Sequence, residues 1–207
     1  QTITNVENID ASGVANNAID LTLVGDDADN VIQSGAGVDK LTGNGGDDKF
    51  VLLGEQNYTI TDFDEAGEDE LYFNVEPAGA SLLSSAISNS NLEILIGTNG
   101  NASKGVVQKV DNVTGGSITG ASKLSGLFGS FASTTAFKSA VVALTEAGNS
   151  TDTTLAAFAI NTAGSKLWVA TVTATGASNS SVASAAKVNI VANIGVENIE
   201  ASDLFIF

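Results

Sequence analysis

The chain has 207 residues, 43% of them hydrophobic, enough for one sizeable domain or two small ones and too apolar for a disordered tail. It contains no Cys and no His, which excludes disulfides, thiolate nucleophiles, cysteine or histidine zinc sites and Ser-His-Asp catalysis. With 8 Lys, no Arg and 24 acids, its net charge of −16 repels nucleic acid and anionic membranes and suits cations.

The charge is unevenly placed. Residues 1–77 hold 17 acids against Lys40 and Lys49, a net of −15, whereas residues 78–207 hold 7 acids and 6 Lys. An acidic, Gly-punctuated block followed by a neutral Ser/Ala/Thr-rich block argues for two modules, 1–77 and 78–207, joined near the single proline, Pro77. The chain begins at Gln1 and contains no Met, so it reads as part of a longer polypeptide. No run of about 18 apolar residues is present, so no membrane insertion is expected, and no amino-terminal secretory signal is found.

In chain order, Ile3 to Asp10 and Ala18 to Val24 alternate apolar and polar residues and read as strands. From Gly25 the sequence runs GDDADNVI, SGAGVDKLT, GNGGDDKFV, with Asp29, Asp39 and Asp48 each followed two residues later by an apolar residue, Val31, Leu41 and Phe50. The spacing is ten and then nine, close to the period of the calcium-binding nonapeptide G-G-x-G-x-D-x-U-x. Copies two and three keep glycines at Gly35 and Gly37 and at Gly43, Gly45 and Gly46; the first copy is degenerate, with Val24 and Asp27 at glycine positions.

The pattern has a physical reason. A Gly-rich half-repeat turns sharply and aims carbonyls inward, while the x-U-x half is a short strand that buries one apolar side chain. Stacked turns make oxygen cages, and calcium takes 6 to 8 oxygen ligands without need of His or Cys. A crowd of acids is ordinarily a solvated face, but here Asp26, Asp27, Asp29, Asp47 and Asp48 crowd turns that hold few cations, an arrangement that repels itself unless metal neutralises it. Because turns on one side of such a roll come from alternate repeats, Asp29 and Asp48 are expected on one edge and Asp39 on the other. The candidate ligands are the carboxylates of Asp26, Asp27, Asp29, Asp39 and Asp48, with backbone at Gly35, Gly37, Gly43, Gly45 and Gly46. Downstream, Tyr58 to Asp64 and Glu68 to Phe73 read as strands, and Asp62, Asp64 and Asp69 either close the last calcium site or are solvated strand-end acids.

Gly35 to Val51, followed by Thr61-Asp62-Phe63-Asp64 and Glu68-Asp69-Glu70-Leu71, resembles the end of an RTX (repeats-in-toxin) protein. The stretch Asn5 to Gly13 is similar to the ladder that precedes the roll in large surface-layer and adhesin-like members. The resemblance implies a mainly β fold, a parallel β-roll or β-solenoid with calcium-binding turns, followed by a β-rich C-terminal cap with one or two helices. It also implies calcium as the cofactor, export by the type I secretion machinery, a secreted or cell-surface location, and self-assembly or cell-surface polysaccharide as partner. Its repeats are few.

In the second block, Leu92 to Ile96, Gly105 to Val110, Leu155 to Ile160, Lys166 to Val172 and Lys187 to Val191 read as strands, with a hairpin turn over 161–165. Helical spacing predicts a helix over Thr135 to Ala147 capped by Gly148, and a short helix over Leu82 to Ile87 or Lys123 to Phe131. Trp168, opposite a Phe-bearing strand, is read as core packing in preference to carbohydrate stacking. The terminus, residues 197–207, is acidic and then apolar; it reads both as a final core strand and, through the resemblance, as an uncleaved type I secretion signal.

Catalytic motifs fail. Neither Gly35 to Lys40 nor Gly43 to Asp48 completes G-x-G-x-x-G, Gly97 to Lys104 lacks the Gly-Lys-Ser/Thr of a P-loop, and the paired acids sit in repeat turns away from aromatic subsites. The expectation is a non-enzymatic calcium-binding structural and secretion module at the end of a surface-layer or adhesin-like protein. The rival is the export domain of a secreted RTX metalloprotease or lipase.

Overall fold

The computed structural model describes residues 1–16, 18–52, 57–73, 93–98, 101–106, 122–123, 127, 129–146, 154–173 and 187–206. Its first part is a β-solenoid. Strands β1 (Thr2–Ile3), β2 (Asn8–Asp10), β3 (Thr22–Val24), β4 (Val31–Gln33), β5 (Lys40–Thr42), β6 (Lys49–Leu52), β7 (Thr59–Ile60) and β8 (Glu70–Phe73) alternate between two parallel sheets. One sheet runs β1-β3-β5-β7 and the other β2-β4-β6-β8.

In β2 to β5 the strands are three residues long and only the central side chain is buried, whereas β6 and β8 each bury three. Leu23, Ile32, Leu41 and Phe50 are wholly buried and stand nine residues apart, with flanking positions half-buried or exposed in β3, β4 and β5 and Val51 and Leu52 also buried in β6. Parallel pairing stacks them: Leu23 on Leu41 on Ile60 in one sheet, and Ile9 on Ile32 on Phe50 on Leu71 in the other. Two in-line columns of apolar side chains thus form one continuous core.

This register corrects the reading of the first repeat. The inward residue is Ile32, not Val31, so the spacing is a regular nine and the residue in the repeat-aspartate position is Asn30. Asp29 belongs one place earlier, in register with Asp47. The expected strand over 3–10 is also broken: Asn5 takes a left-handed conformation, φ 54°, and turns the chain between β1 and β2. The expected strand over 58–64 stops at Ile60, and the chain turns there with Phe63 buried against Phe50.

The C-terminal block carries β9 (Glu93–Thr98), β10 (Asn101–Val106), β11 (Ser122–Lys123), β12 (Gly129–Phe131), helix α1 (Thr134–Glu146), β13 (Thr154–Asn161), β14 (Lys166–Thr173), β15 (Lys187–Gly195) and β16 (Leu204–Ile206). The hairpin turn over 161–165 forms as expected: the Asn161 side chain accepts the N–H groups of Ser165 and Lys166, and Gly164 takes φ 71°. Helix α1 begins where Ser133 caps the Ala136 N–H. Where a second helix was expected over Lys123 to Phe131, β11 and β12 occupy its ends; Gly129, φ 146°, has a conformation no helix accepts. The expected helix over 82–87, the Gly148 cap and Pro77 lie outside the described residues.

The two blocks share sheets. β15 pairs in parallel with β7 at Gly195 and Thr59, and β16 pairs in parallel with β8, Leu204 lying on Leu71. Residues 195–206 therefore form a last coil, with Val196, Ile199 and Leu204 buried in the solenoid core. Leu167 and Val169 of β14 enter the same core, while Trp168, alternating to the other face, is buried near Phe137 of α1, with ring centroids 6.4 Å apart, and donates its indole N–H to Asn193. Among the described residues, no helix is long and apolar enough to cross a membrane.

Candidate functional site

The turns between strands gather along two edges. Turns 25–30, 43–48 and 61–69 lie on one, and turns 11–21 and 34–39 on the other. Asp26, Asp27, Asp29, Asp48, Asp62, Asp64 and Asp69, with Gly43, Gly45 and Gly46, fall on the first; Gly35, Gly37 and Asp39 fall on the second. This is the division the repeat predicts.

On the acidic edge, side chains bond to the backbone of the neighbouring coil in both directions. The inner position holds Asn30, Asp48 and Asp69, which are 1%, 2% and 6% exposed. Asp48 accepts the Asn30 N–H at 2.8 Å and Asp69 accepts the Asp48 N–H at 2.9 Å, each reaching one coil back. One residue earlier the direction reverses: Asp29 accepts the Asp47 N–H at 2.9 Å and Asp47 accepts the Glu68 N–H at 3.0 Å. Asp62 accepts the N–H groups of Gly43 and Asn44 at 3.1 and 2.8 Å. Asp26 and Asp64 brace their own turns, Asp26 accepting from Ala28 and the Asn30 amide, Asp64 from the Asp69 N–H.

The glycines keep these turns close. A Cβ at Gly43 would lie 1.8 Å from an Asp48 carboxylate oxygen, and one at Gly46, φ 102°, would lie 2.6 Å from the Ala28 carbonyl carbon. Gly45 is under less constraint, its Cβ position being in ordinary contact with Asp27.

The acids strain against one another. Burial pushes Asp48 up to about 6, with the charges of Asp69, Asp62 and Asp29 adding and the Asn30 N–H opposing. Burial also raises Asp69, helped by Asp62 and Asp47, and Asp64, helped by Asp203, Asp69 and Glu68. Lys40 and Lys49 lie on strands, and Lys49 is held by Glu70 at 3.4 Å, so the turn carboxylates are held by backbone N–H groups.

Residues that the repeat pattern did not single out also belong here. Asp47 and Asn30 carry the two ladders, and Asp203 joins from the turn before β16. The first pair is legible in retrospect, since Asp20, Asp29 and Asp47 fall on one nine-residue series and Asn30, Asp39 and Asp48 on the next. Asp203 is remote in sequence and only the final coil brings it near.

The donor set matches calcium in its oxygen chemistry but, among the described residues, not in convergence. It is entirely oxygen, as a hard divalent ion requires, and it concentrates buried carboxylates that raise one another's pKa. Among the described residues, no three acidic side chains converge as a ready-made metal cluster, so peptide carbonyls would have to complete any coordination sphere. Compared with known proteins, the chain matches no family model, no curated protein and no solved structure.

Proposed function

We propose that this chain is a calcium-binding structural module, the end of a larger extracellular protein exported unfolded through a type I system and folded on arrival. The observation that carries this reading is the buried column Asn30, Asp48 and Asp69, flanked by Asp26, Asp27, Asp29, Asp47, Asp62 and Asp64, with the Asp48 and Asp69 carboxylates accepting backbone N–H groups. Asp26, Asp27, Asp29, Asp48, Asp62, Asp64 and Asp69 would hold the ion, with carbonyls of the turns around Gly43, Gly45 and Gly46; the bound ion would supply the positive charge the edge lacks.

Calcium is scarce in a cytosol and about millimolar outside, and extracellular modules bind it with Kd of about 10⁻⁴ to 10⁻³ M. At about one to ten times its Kd, each site adds roughly 0.4 to 1.4 kcal/mol to the folded state, and several sites together add a sizeable fraction of a marginal domain's stability. The secretion role of residues 197–207 fits the same sequence of events: a segment read by an exporter while unfolded becomes the last coil once the solenoid forms. A surface-layer or adhesin-like parent is supported by the Ser/Ala/Thr-rich composition of the second block, whose described residues are mostly strand.

The test is thermal melting followed by circular dichroism in calcium and in chelator. The reading expects a lower melting temperature and loss of β signal in chelator. An unchanged spectrum and melting temperature would refute it.

A further inference from the structure

We propose that cation uptake is confined to the acidic edge, and that the opposite edge is a metal-free latch in which Tyr58 stands in the repeat-aspartate position and closes over Asp39. This rests on the calcium reading above and narrows it to one side of the roll.

The inner position lies two residues ahead of each buried strand centre. On the acidic edge it holds Asn30, Asp48 and Asp69, oxygen-bearing side chains throughout. On the opposite edge the pairing of Thr22 with Lys40 and of Lys40 with Thr59 brings Leu21, Asp39 and Tyr58 into the same position. All three are buried, at 4%, 1% and 1% exposure, and Leu21 and Tyr58 are members of the hydrophobic core. Asp39 is thus sandwiched between a hydrocarbon and a phenol.

Both Asp39 oxygens accept from the backbone, a feature shared with Asp69 on the acidic edge, which accepts from Asp48 and Asp64. One accepts the Leu21 N–H and the other the Gly35 N–H, both at 2.9 Å. The outer position is mixed on this edge: Asp20 and Asn57 stand there with Val38, 44% exposed, between them, its N–H donated to Asp20. A calcium ion needs 6 to 8 oxygens, and among the described residues of this edge two of the three inner positions, Leu21 and Tyr58, belong to the hydrophobic core.

Tyr58 is buried, which raises its phenol against an opposing hydrogen bond with the buried Ser34. The ring lies in the core with Leu41 and Ile60, where its hydrocarbon is what the surrounding residues hold. An edge built this way closes without an ion, giving the chain a framework on which the acidic edge folds when calcium arrives.

Calorimetric calcium titration of the 207-residue chain tests this with Asp48→Asn and Asp39→Asn. The expected result is that Asp48→Asn weakens uptake by about tenfold or more, the scale on which altering a metal site's surroundings acts, while Asp39→Asn binds the same number of ions with unchanged affinity. Equal loss in the two variants overturns the proposal. A wild-type chain that takes up no calcium removes the underlying reading and this inference together, and is recognised in the first titration. Should Asp39→Asn not fold, tyrosine-sensitised terbium luminescence in Tyr58→Phe decides, since an ion beside Asp39 would lie against that phenol. Unchanged emission supports the latch, and loss of most of the emission overturns it.

Discussion

The Asp48 carboxylate accepts the backbone N–H of Asn30, eighteen residues earlier, at 2.8 Å, and both residues are buried. The bond joins the mouths of β4 and β6, whose centres Ile32 and Phe50 lie on each other in the core. A stray buried N–H costs about 1 to 3 kcal/mol, so Asp48→Ala is expected to lower stability by that amount in urea unfolding. Asp48→Asn keeps an acceptor and removes the charge. Measured in chelator at neutral pH it is expected to be at least as stable as wild type, yet to gain less from calcium. An Asn variant as unstable as the Ala variant would contradict this.

The metal-free chain has a predictable pH response. Asp48, raised from 3.8 to about 6, binds its proton more tightly folded than unfolded, and Asp64 and Asp69 shift the same way. Their stabilising contribution is complete below the unfolded value of 3.8 and is lost as pH rises through the folded value. Asp10 and Asp26 are shifted down by hydrogen bonds, to Ser12 and to Asn30 and Ala28, so their contribution is present above 3.8 and lost as pH falls through their folded values. In chelator the melting temperature should therefore be higher at about pH 5 than at about pH 7. A rise in stability from about pH 5 to about pH 7 would show that the acidic edge is not under repulsion.

Gly46 sits at φ 102° with the backbone of Ala28 and Asp29 2.6 Å from the place of its missing Cβ. Gly46→Ala combines positive-φ strain with a clash against backbone that cannot swing away, and a loss of about 2 kcal/mol or more is expected in urea unfolding. Gly13→Ala is the control, since nothing lies within 4 Å of its Cβ position. Equal midpoints for the two variants would show that the coils can separate at little cost.

Leu204 is fully buried on Leu71, where β16 covers the edge of β8. Leu204→Ala is expected to cost about 2 to 5 kcal/mol by urea unfolding, the usual range for an emptied core position. Deleting residues 196–207 removes β16 and bares the parallel edge of β8, and light scattering should show association of the shortened chain. A truncated chain that stays monomeric and melts as before would show the last coil to be an appendage.

How much of this was legible beforehand varies by element. The inward side chains Leu41 and Phe50 and the division of Asp29 and Asp48 from Asp39 follow from a nine-residue period, because each half-coil needs one turn and one buried residue. The first repeat misled by one place, since Asp29 is an acid two residues before an apolar Val31; only the stacking of Ile32 on Phe50 puts Asn30 in the column. Trp168 was read correctly as buried because its strand alternates. β16 was legible as a strand from Leu204-Phe205-Ile206, but its partner β8 lies far away in sequence.

The sequence by itself determined that this is a chain of short, stacked β turns with an oxygen-only acidic face, because period, glycine placement and the lack of His and Cys are local facts that leave little else to build. Only the tertiary structure decided which acids share a coil edge, that Tyr58 takes an aspartate's place, and that residues 195–206 finish the solenoid. Those depend on parallel pairing between segments far apart in the chain. In such pairing a shift of one residue moves a side chain from core to solvent, so the register is settled by packing energy and not by the local pattern.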